Sequence, residues 1–121
     1  MGKKVLVVDD SSTIRQQVNL ALSQAGFEVV EAEDGADGIR QLGVHPDVAM
    51  VICDVNMPRM NGLEMLAQLR GTPRVPPILM LTTEAAMDLV AKAKSLGAKG
   101  WMVKPFKPDQ LVAAAKKLTA A

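Results

Sequence analysis

The chain has 121 residues, the length of one ordinary globular domain, and 49% of them are hydrophobic while 22% are charged. This composition excludes disordered chains, collagen-like fibres and small disulfide-stapled proteins. The net charge of +1 and the three aromatic residues disfavour binding of nucleic acid, by charge or by base stacking. We therefore expect one domain over residues 1–121, with no output domain and no nucleic-acid partner.

The N-terminal apolar run, residues 5–8, is shorter than the apolar core of a signal peptide. No apolar stretch approaches the ~20 residues of a membrane span. Cys53 is the single cysteine, so no internal disulfide can form. We expect a cytoplasmic, monomeric protein without a membrane anchor.

Short apolar segments alternate with helical periodicity along the chain. The segments predicted as strands are residues 5–8, 27–32, 48–53, 78–81 and 101–103. Apolar residues at helical spacing fall between them, and a last helix is predicted over about residues 108–118. The predicted helix ends, where the backbone must turn with positive φ, are marked by Gly26, by Gly43 with Pro46, by Gly71 with Pro73 and by Gly97.

A strand followed by a helix, five times in succession, predicts a parallel sheet with right-handed crossovers and helices on both faces. Strands buried on both sides are apolar throughout, as in residues 5–8, 48–53 and 78–81. The mixed segments 27–32 and 99–104 suit the edges. The sequence therefore predicts an α/β fold of three layers with strand order 2-1-3-4-5.

In such sheets ligands bind beyond the carboxyl ends of the strands, where the strand order reverses. The residues predicted at these ends are Asp9, Asp10, Asp54, Thr82 and Lys104. Carboxylates within ~5 Å repel by about 3 kcal/mol per pair at an effective dielectric near 20, so a cation is expected. Oxygen ligands without a His or Cys cluster, with room for water and phosphate oxygens, favour Mg²⁺ over Ca²⁺.

A carboxylate, a metal, a hydroxyl and an ammonium around one cleft suit phosphoryl transfer onto an aspartate. Thr82 can donate to one phosphoryl oxygen, and Lys104 can place its charge beside another. Composition does not decide which aspartate attacks. Asp54 is favoured because it ends a central strand, between the Asp9–Asp10 pair and the Thr82–Lys104 pair.

The sequence resembles the receiver domains of two-component response regulators, particularly the stand-alone chemotaxis type. The resemblance covers essentially the whole chain. The matching segments are VVDDS at 7–11, DVNMP at 54–58, MNG at 60–62, LTT at 81–83 and KPF at 104–106. It implies a flavodoxin-like (βα)5 fold.

The resemblance also implies residue roles. Asp54 would accept a phosphoryl group from a histidine kinase, and Thr82 and Lys104 would sense it. The implied ligands of Mg²⁺ are Asp9 (through water), Asp10, Asp54 and the backbone carbonyl of Asn56. A cis peptide is implied between Lys104 and Pro105. Such a protein is a switch that catalyses only its own phosphorylation and dephosphorylation.

In similar proteins an aromatic side chain on the fifth strand turns inward after phosphorylation. The surface of the fourth helix, fifth strand and fifth helix then binds a downstream protein. Trp101 holds that position, where Tyr or Phe is more usual, so inward rotation and plain edge packing both stay open. Asn56 and Glu84 hold two positions that tune phosphoryl lifetime, and their pairing predicts rapid self-dephosphorylation, as in chemotaxis regulators.

Other functions stay open on the same residues. A phosphorelay intermediate, a phosphate sink or a scaffold receiver would share the site. A flavodoxin-type electron carrier would share the fold but needs a non-acidic phosphate loop where Asp9 and Asp10 stand. A Mg²⁺-dependent aspartyl-phosphate phosphatase would place its nucleophile after the first strand and carry a cap domain. Singly, the two aspartates could merely cap a helix, and Lys104 could be a solvated charge.

Overall fold

The structure, a computed structural model, describes residues 2–55, 62–69, 75–83 and 89–120. Within these ranges five strands alternate with five helices, as predicted. The strands are β1 (Lys4–Val8), β2 (Glu28–Ala32), β3 (Val48–Asp54), β4 (Ile78–Thr82) and β5 (Gly100–Val103). The helices are α1 (Ser12–Gln24), α2 (Gly35–Val44), α3 (Gly62–Leu69), α4 (Val90–Ser95) and α5 (Pro108–Thr119).

The strands form one parallel sheet in the order β2-β1-β3-β4-β5. The predicted order and the flavodoxin-like α/β fold are thus confirmed. β1, β3 and β4 lie in the middle and are almost wholly buried, whereas the edge strands β2 and β5 are partly exposed. The sequence differs between centre and edge because only the central strands are covered on both faces.

Two apolar layers flank the sheet, because successive side chains of a strand point to opposite faces. Val5 and Val7 of β1 pack on one side with Leu22 of α1 and Leu111 of α5. Val8 packs on the other side with residues of α2, α3 and α4. No helix in the described ranges is long and apolar enough to cross a membrane.

Three of the predicted helix ends lie in the described residues, and a helix ends at each of them, although only two of the glycines have a positive φ. Gly26 and Gly97 have φ of 95° and 110°, in the left-handed region that favours glycine. Gly43 instead lies inside α2, which continues to Val44 and is capped by His45. The residue before a proline disfavours the helical conformation, so Pro46, predicted together with Gly43 as the end signal, accounts for the end of α2 at Val44. Gly71 lies outside the described residues.

Candidate functional site

Asp9 follows β1 at the carboxyl edge of the sheet and is fully buried. Its backbone N–H donates to the Ala32 carbonyl at 3.1 Å, which extends the pairing of β1 with β2 beyond the strand. Its Oδ1 accepts a hydrogen bond from the Ser11 N–H at 2.9 Å. Ser11 caps α1 by accepting from the Ile14 N–H. The turn from β1 into α1 thus holds the carboxylate in one orientation.

The ends of β3, β4 and β5 are held at the same edge of the sheet by backbone hydrogen bonds of the same kind. The N–H of Val55, next to Asp54, donates to the Leu81 carbonyl at 3.0 Å. The N–H of Lys104 donates to the Thr82 carbonyl at 2.7 Å. The side chains that follow β1, β3 and β5 therefore share one edge of the sheet.

Asp9, Asp10 and Asp54 each present an oxygen atom within 4.8 Å of the other two. The Lys104 ammonium lies 2.9 Å from Oδ2 of Asp9 and 3.2 Å from Oδ2 of Asp54. We call these four side chains the acidic cleft. Their convergence, predicted from the order of the strands, is observed. The peptide between Lys104 and Pro105 is cis, as the resemblance implied.

The charges of the acidic cleft do not balance. Burial of the Lys104 ammonium acts to lower its pKa, but the hydrogen bond to Asp9 and the charges of Asp54 and Asp9 outweigh it and raise the pKa. The lysine is therefore cationic at neutral pH. Three carboxylates and one ammonium leave two formal negative charges in the cleft.

The donor atoms fit a hard divalent cation such as Mg²⁺, which would balance that charge. All three acidic side chains offer oxygen, the ligand that Mg²⁺ prefers. Cys53 does not add a thiolate, because burial and the charges of Asp54 and Asp9 raise the pKa of its thiol. Its sulfur lies 3.8 Å from that of Met65 in the apolar layer. Asn56, expected to supply a carbonyl ligand, lies outside the described residues, as does Glu84.

Thr82 and Trp101, both expected to respond to phosphorylation, have different environments. Thr82 is buried at the end of β4, and its hydroxyl donates to the Thr83 carbonyl at 3.2 Å. Trp101 of β5 is 40% exposed and lies under the ammonium of Lys94, which sits 4.0 Å from the ring centroid. The indole therefore faces α4 at the surface in this structure.

Arg15 was missed by the sequence reasoning. It lies on α1, and its Nη1 donates to the backbone carbonyl of Asp9 at 2.5 Å while its Nε donates to Glu31 Oε1 at 3.0 Å. The available signal was its position in the first turns of the helix that follows the acidic pair. A second one was Glu31, one of the two glutamates of the mixed edge strand β2.

The family model of the response regulator receiver domain matches residues 5–116. The chain belongs to this family. The receiver is 42% identical to the chemotaxis protein CheY1 of Helicobacter pylori over 111 residues, which cover 89% of this chain and 90% of the relative. It is 41% identical to a CheY homologue of Campylobacter jejuni, over 89% of this chain and 85% of that protein.

Solved structures lead to the same family. The chemotaxis protein CheY4 of Vibrio cholerae superposes on the receiver with a TM-score of 0.88 at 40% identity, covering 98% of this chain and 99% of that chain. A response regulator of Chloroflexus aurantiacus, described as putative, reaches 0.92 at 31% identity over the whole of both chains. The receiver is thus a two-component response regulator domain similar to chemotaxis regulators, and the resemblance drawn from its motifs is confirmed.

Proposed function

We propose that this receiver is a phosphoacceptor switch in which Asp54 takes a phosphoryl group from a histidine kinase with the help of Mg²⁺. The observation that carries the proposal is the acidic cleft, with three carboxylate oxygens within 4.8 Å of one another and one ammonium bound to two of the carboxylates. Such a cleft combines a nucleophile, a cation site and a mobile positive charge.

In the proposed transfer, a carboxylate oxygen of Asp54 forms a bond to phosphorus as the bond from phosphorus to the kinase imidazole nitrogen breaks. The electron pair of the broken bond stays on that nitrogen, and the product is an acyl phosphate. Bound Mg²⁺ would supply charge neutralisation and a contact to a phosphoryl oxygen. The residues proposed to hold it are Asp9, Asp10, Asp54 and the Asn56 carbonyl.

Two side chains are placed to stabilise the phosphoryl group. The Lys104 ammonium, already beside Asp54, can turn from the carboxylates to a phosphoryl oxygen. The Thr82 hydroxyl can rotate away from the Thr83 carbonyl and donate to another oxygen. Each movement replaces one hydrogen bond by another to a charged acceptor, so phosphorylation changes both side chains.

Asp54 is the most suitable nucleophile of the three. Asp9 is fully buried and uses one oxygen for the Ser11 N–H and the other for Lys104. Asp10 is exposed to solvent. Asp54 ends the central strand β3, between the β1 and β4 ends, so groups from both sides can reach a phosphoryl group on it.

We propose that the signal leaves through the face formed by α4, β5 and α5. A phosphoryl group can shift the population only if it binds the active conformation better than the resting one, and Lys104 at the end of β5 provides such a link. The partners are a histidine kinase and a downstream protein. The receiver acts in the cytoplasm as a monomer and catalyses only its own phosphorylation and dephosphorylation, the latter rapidly through Asn56 and Glu84.

The test is to incubate the protein with acetyl phosphate and Mg²⁺ and record the intact mass under conditions that preserve acyl phosphates. The wild type should gain one phosphoryl group, and Asp54→Ala should gain none. Asp109→Ala, which removes an exposed aspartate of α5, is the matched control and should be labelled like the wild type. Absence of label, or label on another side chain, would overturn the proposal.

A phosphorelay intermediate, a phosphate sink or a scaffold would differ from this switch in its protein partners. Pull-downs with and without beryllofluoride distinguish these alternatives.

A further inference from the structure

Arg15 joins three elements of the fold behind the acidic cleft. Its guanidinium donates through Nη1 to the Asp9 carbonyl and through Nε to Glu31 of β2. The other oxygen of Glu31 accepts from Asn19 Nδ2 at 3.0 Å, one turn further along α1. The side-chain oxygen of Asn19 in turn accepts from the Ser23 hydroxyl at 2.7 Å. The Arg15 side chain is only 17% exposed.

The carbonyl that Arg15 holds belongs to the peptide that links two proposed metal ligands. The orientation of this peptide sets the backbone angles on the C-terminal side of Asp9 and on the N-terminal side of Asp10. The Asp9 N–H already donates a hydrogen bond to the Ala32 carbonyl of β2. With its carbonyl held as well, the backbone of the acidic pair is tied to α1 and to β2 at once.

We propose that Arg15 is a positioning residue for the metal site, which orients the Asp9–Asp10 peptide so that both carboxylates face one divalent cation. The inference rests on the proposed role of the acidic cleft in binding Mg²⁺. Glu31 holds the guanidinium in place through an ion pair with Nε. The planar fork of arginine suits this task because it serves two acceptors in fixed directions, which a lysine ammonium on a flexible stem does not.

A positioning role and a purely electrostatic role for Arg15 predict opposite changes in Mg²⁺ affinity when Arg15 is replaced. Arg15 is a cation near a cation site, so the loss of its charge alone would tighten Mg²⁺ binding. The loss of its hold on the peptide would weaken Mg²⁺ binding, because the carboxylates would have to be ordered at the moment of binding. Groups that orient metal ligands typically change affinity 10–100-fold when they are removed.

The experiment is calorimetric titration of the full chain with MgCl₂ and without any phosphoryl donor. We expect Arg15→Ala to raise the dissociation constant about 10-fold. Arg15→Lys should weaken binding although it keeps the charge, and Glu31→Gln should weaken it less. The matched control is Arg40→Ala, which removes an arginine of α2 paired with Asp37, and should leave the affinity unchanged.

A second measurement separates positioning from general destabilisation. Hydrogen exchange of the Asp9 amide, which donates to the Ala32 carbonyl, should be faster in metal-free Arg15→Lys, while the amides of β3 keep their protection. If Arg15→Ala is poorly folded, Arg15→Lys, which keeps the positive charge, carries the test. Unchanged or tighter Mg²⁺ binding in folded Arg15 variants would overturn this inference alone. If the wild type binds no Mg²⁺, both this inference and the proposed function are contradicted.

Discussion

The ammonium nitrogen of Lys104 lies 2.9 Å from Oδ2 of Asp9, a contact between residues 95 positions apart in the chain. The lysine is thus the internal counter-ion of the acidic cleft. A divalent cation and this ammonium compete for the same negative charge. The contact therefore connects stability, metal binding and the response to phosphorylation.

We expect Lys104→Met to destabilise the metal-free protein by about 1–3 kcal/mol, because it leaves neighbouring buried carboxylates without their cation. The same variant should bind Mg²⁺ more tightly, at least about threefold, because a like charge is removed from the site. Urea unfolding in EDTA and calorimetric titration measure the two effects. Lys116→Met, near the end of α5, is the control. A variant with wild-type stability and wild-type affinity would contradict this account of the contact.

The stabilisation by Lys104 should depend on pH in a definite direction. Its pKa in the folded protein is raised above the ordinary 10.5, so the contribution is complete below about pH 10.5 and is lost as pH rises through the folded pKa. The difference in unfolding free energy between wild type and Lys104→Met should be constant from about pH 8 to about pH 10 and shrink above that range. A difference that grows with rising pH would contradict the assignment.

Mg²⁺ should raise the melting temperature of the wild type, since binding to the folded state at 100 times the dissociation constant adds about 2.7 kcal/mol of stability. Asp10→Asn should lose most of this gain. In EDTA the same variant should be at least as stable as the wild type, because one of three mutually repelling carboxylates is gone. Thermal unfolding with and without Mg²⁺ measures both. Equal Mg²⁺ shifts in the wild type and the variant would be inconsistent with Asp10 as a ligand.

Lys94 should hold Trp101 at the surface. A cation over an indole at an exposed site contributes about 0.5–1 kcal/mol, so Lys94→Met should lower the population of this outward arrangement about two- to fivefold relative to others. Trp101 is the single tryptophan, so its emission and its quenching by acrylamide report on it alone. Lys92→Met, on the same helix, is the matched control.

Addition of Mg²⁺ and then of beryllofluoride should perturb the Trp101 emission in two steps. The beryllofluoride step should vanish in Asp54→Ala. If the indole turns inward, that step should be larger in Lys94→Met than in Lys92→Met. Equal steps in the two lysine variants would favour edge packing of Trp101 over a rotamer change.

Two glycines of α2 should respond to alanine with opposite signs. A Cβ on Gly38 would lie 3.0 Å from Val8 Cγ2 and 3.1 Å from Met65 Sδ, so Gly38→Ala should cost about 1–3 kcal/mol. A Cβ on Gly43 would meet nothing within 4 Å, so Gly43→Ala should stabilise the protein by up to about 1 kcal/mol. Urea unfolding of the two variants checks the pair. Destabilisation by Gly43→Ala would show that this helix end needs glycine after all.

Prediction from the sequence worked where the signal was local or periodic. Apolar runs marked β1, β3 and β4, and the polar residues after them were placed at one edge by the geometry of parallel sheets. At Gly43 with Pro46 the predicted helix end agrees with the structure to within one residue, but Gly43 itself lies inside α2 and lacks the expected positive φ. An exposed glycine is tolerated there, and Pro46 decides the boundary.

The sequence by itself determined the fold, the family and the residues of the acidic cleft. The spacing of hydrophobic residues and the residue types that follow each apolar run are local features of the sequence, so they can be recognised without the structure. Only the tertiary structure decided that Lys104 rests on Asp9, that Arg15 holds the Asp9 carbonyl and that Lys94 covers Trp101. These contacts join separate elements, and their atoms meet only after the strands and helices have packed. No local pattern encodes such distances, since long side chains can reach several partners.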